Sequence, residues 1–405
     1  MSMVSDFGVT EISSQRRNYM LTSHRRDGLI EWMKEMLNHS FVLDAKESYV
    51  GTMHFIEELI EEHRANPARS RLKQFVPSVG VFHTPLALAQ SFTIYDNKYS
   101  ITKRRFISPT FNEIRHILNL AQITAIGQSL QLITFDGDQT LYSDGGNFDA
   151  RNDELALGII SLLCNNVKVA MVTAAGYGFD GSKYEKRVQG LLDRFVLEEM
   201  TAAQMGNFYL FGGECNYLFR CELVAQGEEK PRARLIPIPV EEWQGDHIPT
   251  GPKPYHWSPE QIVSILNIAE ESMKDTIKEL KLRAKILRKE RAVGVFPGGV
   301  DMVKAIPEGH GSNKLKREAL DELVLRVIDS IRVKGRDINL PFCVFNGGSD
   351  AWLDIGNKSV AVASLQAYFN LPNAHCLHVG DQVALLLFIK MFACINSIFC
   401  CCCSF

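Results

Sequence analysis

The 405-residue chain has no surplus of charge of either sign: 44 Lys and Arg stand against 47 Asp and Glu, a net charge of −3. Without a basic excess there is no electrostatic footprint for a phosphodiester backbone, so nucleic acid is not an expected partner. The N-terminal stretch "MSMVSDFGVTEISSQRRNYM" lacks the apolar run of a secretory signal. The expected compartment is therefore the cytoplasm, and the sequon at Asn38–Ser40 carries no meaning there. Internal repeats and low-complexity linkers are also lacking, apart from a Pro- and Trp-containing loop at 236–258. Cys164, Cys215, Cys221, Cys343 and Cys376 show no metal-ligand spacing and read as reduced, buried thiols. At this length two or three domains are expected, and a 46% hydrophobic content is ample for their cores.

What the chain does have is "LITFDGDQTLY", Leu132–Tyr142, where an apolar run ends in Asp136 and Asp138 with Thr140 following. Such a run predicts a buried strand that delivers polar groups at its carboxyl end, where open α/β sheets bind ligands. Carboxylates at i and i+2 share a strand face and can supply a nucleophile and a general acid/base. Alone, Asp-x-Asp is a weak signal, since solvated loops and calcium sites contain it too. Three further pieces follow in order. "VKVAMVTAAG" is a second apolar strand ending at Thr173; "SDAWLDIGNKSVAVASLQAYF" carries Lys358 ahead of a helical repeat of Ala361, Val362, Leu365 and Phe369; "HCLHVGDQ" is a short strand ending at Asp381.

These four pieces in this order resemble the haloacid-dehalogenase-like phosphatases. The resemblance implies an α/β fold: a doubly wound core sheet, an inserted α+β cap and, here, an N-terminal helical regulatory region. Asp136 would attack phosphorus and form an aspartyl-phosphate. Asp138 would protonate the leaving oxygen and then deprotonate the hydrolytic water. Thr173 and Lys358 would hold phosphoryl oxygens, Lys358 also restraining Asp136. Magnesium is the expected metal, with Asp136 and Asp381 as side-chain ligands and the Asp138 carbonyl as a third.

Longer strings narrow the resemblance. "LITFDGDQTLYSDGGNFD", "VTAAGY", "FGGECNYLFRC", "ITKRRFISPTFNEIRHILNLAQI" and "FNGGSDAWLDIGNK" are similar to the IMP-specific 5′-nucleotidase family, over about residues 15–382. That implies hydrolysis of inosine 5′-monophosphate (IMP) with Mg2+, ATP as an allosteric activator held by the N-terminal helices, and a homotetramer. By the same resemblance Asp136, Asp138 and Asp381 are the metal set, and Asp138, Asp144, Thr173, Asp350 and Lys358 contact substrate. His116 and Arg16 are placed at the effector site. Bland readings stay open beside these. Asp144 in "YSDGG" and Asp350 are also good turn formers. His116 borders the apolar stripe of Ile114, Ile117, Leu118 and Ala121, and Arg16–Arg17 reads as a solvated charge run. Asp354 is expected at the surface, His378 in the core or behind the site, and Glu214 with Arg220 either reads the purine or forms a surface pair. A broader sugar or nucleotide phosphatase, or a catalytically impaired nucleotide-binding relative, are the alternative functions.

By motif position the expected domains are a helical regulatory or oligomerisation region at 1–125, a core at 126–180 and 336–382, and a cap at 181–335. "NFYLFGGECNYLFRCELV" and a charged helical stretch near Asn267–Arg291 fall in the cap, which would close over the strand ends. From residue 383 the chain reads "VALLLFIKMFACINSIFCCCCSF". Lys390 and Asn396 interrupt it as a membrane span, and its cysteines are candidates for acylation. The favoured expectation is read-through or a frame change, because the Gly-Asn-Asp loop, helix and closing strands of such phosphatases are not read there. The C-terminal part of the core is thus expected to be missing or altered, and no membrane is expected as a partner.

Overall fold

A computed structural model describes residues 27–38, 45–143, 145–224, 231–243, 258–298, 315–338 and 340–380. The chain divides into two units, one running to Ser129 and the other starting at Leu130. Asp138, Thr173, Asp350 and Lys358 fall within the described residues; Arg16, Asp144, Asp381 and the cysteine-rich tail fall outside them.

Among its described residues the regular elements of the first unit are helices, chiefly α1 (Gly28–Asn38), α2 (Ala45–Ala65), α3 (Arg71–Phe75), α4 (Leu88–Tyr99) and α5 (Phe111–Ile126). The spacing of Ile30, Met33 and Leu37 puts all three on the buried face of α1. Its start is set by Asp27, whose Oδ1 accepts from the Leu29 amide at 2.8 Å, satisfying a donor that the helix itself leaves unpaired. α5 opens with a capping box between Thr110 and Glu113. Its Ile114, Ile117 and Ala121 join Met33, Met53, Ile56 and Phe92 in one core.

The second unit holds two sheets. β1 (Leu132–Asp136), β2 (Lys168–Val172), β3 (Phe208–Gly212), β4 (Tyr217–Val224), β5 (Arg232–Pro237) and β10 (Cys376–Val379) form the larger, in the order β10-β1-β2-β3-β4-β5. Its β10, β1, β2 and β3 are parallel, and β4 and β5 are antiparallel additions. α6 (Asp153–Cys164) makes the crossover from β1 to β2, and α7 (Gly181–Arg187), α8 (Gln189–Leu197) and α9 (Ala202–Met205) that from β2 to β3. α10 (Val240–Trp243) and α11 (Pro259–Glu279) lead into the second sheet, β6 (Ala284–Arg288), β7 (Ala292–Pro297), β8 (Phe342–Asn346) and β9 (Ala351–Ile355), with α12 (Arg317–Lys334) between β7 and β8. That sheet is antiparallel in the order β6-β7-β9-β8. α11 and α12 cover one face, burying Ile265, Met273, Leu323 and Val327 against Val293, Val295, Leu353 and Ile355. α13 (Lys358–Tyr368) returns the chain to the larger sheet.

This differs from the expected division in two places. "NFYLF" and "YLFRC" lie in the larger sheet, not in the cap: every residue of β3 is buried, the pattern of a strand covered on both faces. Conversely β8 and β9, expected in the core, complete the cap sheet, which therefore ends at Ile355. Asp350 accordingly opens a cap strand.

Candidate active site

β1 carries its five residues fully buried to Asp136, which is 6% exposed. The chain then turns at once: Leu141 N donates to Gly137 O at 2.9 Å, and Gln139 takes a positive φ of 60°. Glycine at 137 leaves room for Tyr142, since a Cβ there would stand 2.6 Å from its Oη and one of the two would have to shift. Asp138 lies in this turn, and its Oδ1 accepts from Gly145 N at 3.1 Å.

Register brings the neighbouring strand ends level with β1. Asp136 pairs with Val172, so Thr173 is the next residue out on β2; Thr173 is 1% exposed and its Oγ1 accepts from Ala175 N at 3.1 Å. On the other side Phe135 pairs with Val379, and a Cβ on Gly380 would lie 3.5 Å from Asp136 Cβ. Asp381 follows Gly380 directly in sequence.

Lys358 comes to the same point from 222 residues away: its Nζ donates to both Asp136 oxygens, at 2.8 Å each. It is the first residue of α13, whose N-cap Asn357 accepts from Val360 N at 2.9 Å. Behind the pair, His378 Nδ1 lies 2.8 Å from Thr134 Oγ1 between β10 and β1. Burial holds this imidazole neutral, its pKa lowered to about 4 although Asp136 pulls the other way. That makes it a core histidine of the site's floor.

Other expected residues fall elsewhere. The Asp350 carboxylate accepts from Trp352 Nε1 at 2.9 Å, a partner within the cap. Asp354 is 6% exposed rather than at the surface, because the face of β9 opposite the helices is itself covered. Its carboxyl lies within 4.8 Å of Glu214 and Cys343, and burial, reinforced by Glu214, raises its pKa well above the usual carboxylate range. Glu214 and Arg220 do not pair. Arg220 is bonded to Glu222 at 3.0 Å, while Glu214 is buried and pushed up to about 7 by desolvation. His116, on α5, places Nδ1 3.2 Å from Tyr95 Oη in the first unit. "GGECN" forms the turn Gly212–Asn216 between β3 and β4, in which Gly213 and Glu214 have positive φ.

A buried carboxylate held by an ammonium, a second carboxylate two residues on, and a hydroxyl at the adjacent strand end form a set suited to phosphoryl transfer. The model of one family, IMP-specific 5′-nucleotidase, matches residues 12–388. The chain belongs to the IMP-specific 5′-nucleotidase family. The IMP-specific 5′-nucleotidase 1 of Yarrowia lipolytica is 40% identical over 403 residues, covering 92% of this chain and 90% of that one. Its Plasmodium falciparum counterpart is 38% identical over 362 residues, covering 88% and 76%. The solved structure of Plasmodium falciparum IMP-nucleotidase superimposes with a TM-score of 0.77 at 36% identity, covering 92% of each chain. Its ATP-bound form gives a TM-score of 0.75 at 36% identity and covers 96% of this chain and 83% of that one. Members of this family are phosphoric monoester hydrolases. In this member, Asp136 and Asp138 offer the hard oxygen donors a small divalent cation takes, gathered where three parallel strands end.

Proposed function

We propose that this chain hydrolyses IMP to inosine and phosphate through an aspartyl-phosphate on Asp136, with Mg2+ as its metal and ATP as an activator bound by the N-terminal helices. The observation that carries the reading is the bidentate grip of Lys358 on Asp136, 2.8 Å to each oxygen, at a strand end flanked by Thr173 and Gly380. The grip holds the carboxylate to one orientation, so little conformational entropy is lost on reaching the attack geometry.

In the first half-reaction an Asp136 oxygen bonds to phosphorus as the bond to the ribose 5′ oxygen breaks, and Asp138 donates a proton to that leaving oxygen. In the second, water attacks phosphorus, Asp138 takes its proton, and the bond to Asp136 breaks to release phosphate. Thr173 can give its hydroxyl proton to a phosphoryl oxygen, and the Lys358 ammonium neutralises part of the charge that develops there. Asp136, Asp138 and Asp381 would hold the magnesium, which lessens the repulsion between carboxylate and phosphate dianion. The expected assembly is a homotetramer. Among the described residues no helix is long and apolar enough to cross a membrane.

The test is phosphate release from IMP by the full chain, with and without Mg2+ and ATP. Release is expected to need the metal, to rise with ATP, and to fall at least about 10³-fold in Asp136→Asn. Turnover in Asp136→Asn equal to the parent would remove the nucleophile. Comparable rates on AMP, GMP and sugar phosphates would favour a broader phosphatase, and no release by the parent would favour an impaired relative.

A further inference from the structure

The strand end that carries Asp136 is followed by a largely exposed stretch in which Gly145, at a φ of 65°, is followed directly by Gly146. Two glycines give a backbone wide conformational freedom, so such a stretch keeps one shape only if something outside it holds it. α7 does so. Arg187, its last residue, donates from Nη1 to Gly146 O at 2.5 Å, and its own carbonyl accepts from Phe148 N at 2.7 Å. Gly190 N donates to Phe148 O at 3.1 Å, and Phe148 is buried. The same guanidinium donates from Nε to Tyr177 Oη at 3.4 Å. Tyr184, one turn earlier on α7, accepts at its Oη from Tyr177 N at 2.8 Å. One helix thus grips both segments that leave the strand ends, the one after Asp138 and the one after Thr173.

The grip at Gly146 reaches the site through adjacent peptides. Gly145 N is the donor to Asp138 Oδ1, at 3.1 Å, and Gly146 O is the acceptor for Arg187. With Oδ1 on a fixed amide, the Asp138 carboxyl is restrained about its side-chain bonds, which is what a proton donor to a leaving oxygen needs. Packing alone does not call for a guanidinium at this position, since ordering a long side chain costs entropy. What the guanidinium adds is a planar fork that presents Nη1 and Nε at once to acceptors on two segments. We infer that Arg187 is the positioning residue for Asp138: by holding Gly146 O and Tyr177 Oη it fixes the Gly145 amide against the carboxylate. The kinetic consequence rests on the nucleotidase reading, but the hold on the segment does not.

The test uses the full-length chain with IMP and Mg2+. Arg187→Met keeps the stem and removes the donors. It is expected to lower kcat by about 10- to 100-fold with KM changed less than about 3-fold, because a loosened Asp138 is missed in the transition state rather than in binding. Amide hydrogen exchange over 145–148 should quicken at least about tenfold, while exchange over 355–359, where α13 begins, stays parental. Arg187→Lys, which can still donate to Gly146 O, should recover at least about threefold of the lost kcat together with most of the exchange protection. Tyr177→Phe removes only the second acceptor and should lose less than Arg187→Met in both readouts. Parental kcat in Arg187→Met would overturn the inference, and so would a KM raised about tenfold or more, which would make Arg187 a direct contact to substrate. Exchange that is unchanged over 145–148, or that quickens equally over 355–359, would overturn it too, the second as a general loosening of the fold. If the parent releases no phosphate from IMP, the nucleotidase reading fails, while quickening confined to 145–148 in Arg187→Met still upholds the hold on the Gly145 amide.

Discussion

The role proposed for Lys358 rests on geometry as well as charge. An ammonium 2.8 Å from both oxygens of a 6%-exposed carboxylate is held along the carboxylate's axis. Lys358→Met is expected to reduce kcat by about 10²–10³-fold, and Lys358→Arg to restore only part of it, because the larger guanidinium can take both Asp136 oxygens but does not replace a compact ammonium that also faces the phosphoryl group. Steady-state kinetics on IMP with CD-matched variants would check both. His378 gives a pH prediction of definite sign. Its pKa is about 4 in the fold against an ordinary 6.5, so the unfolded chain takes up a proton first as pH falls. Stability from this group is complete above pH 6.5 and is lost as pH drops toward 4, by roughly 3 kcal/mol for a shift of this size. The slope of Tm against pH between 4 and 6.5 should therefore be shallower in His378→Gln. Asp136, Thr173 and Lys358 were legible in sequence because each ends an apolar run or starts a helix. Glu214 and Asp354 were not: they are buried by meeting each other and Cys343, and the pairing of different segments that brings them together is not written in local periodicity.

Between elements, the sequence signals were strongest where one face alone is buried and weakest where a strand is covered on both. The Thr110–Glu113 box announces α5 from four residues, and Thr110→Ala should cost the first unit about 1 kcal/mol in denaturant unfolding. β3 is apolar throughout and so reads equally well as cap or core; only its pairing with Val169–Val172 assigns it. The cap strands show another close constraint. Trp352 lies over Gly294, where a Cβ would stand 2.3 Å from the indole, while its Nε1 is tied to Asp350 and Lys289 Nζ sits 4.6 Å from its ring centre. Gly294→Ala is expected to displace the indole, at a cost of about 1–3 kcal/mol. A shifted Trp emission spectrum together with a lowered Tm is the expected result, and an unshifted spectrum would mean the strand moves instead. The location of β8 and β9 in the cap follows from antiparallel pairing with β7, a long-range choice that local periodicity does not encode.

For the molecule as a whole, the residues proposed for phosphoryl transfer and the one proposed for an effector site belong to different units. Asp136, Asp138, Thr173 and Lys358 all follow Leu130, while His116 lies in the helical unit, bonded to Tyr95 and with its pKa lowered by burial and by Arg115. If ATP binds at His116, its effect on IMP must pass through an equilibrium that both ligands bias, because a ligand with no preference between two states shifts neither. Thermodynamic linkage then requires reciprocity: the factor by which ATP tightens IMP is the factor by which IMP tightens ATP. Asp136→Asn, in which turnover is blocked, allows both constants to be measured by calorimetry with Mg2+ present. Equal factors above one are expected in this chain, falling to one in Asp136→Asn/His116→Ala. ATP that raises kcat in the parent while leaving the affinity for IMP untouched would instead place the coupling in the chemical step, where reciprocity does not apply. The effector would then act on how the strand-end groups are held rather than on whether substrate is held.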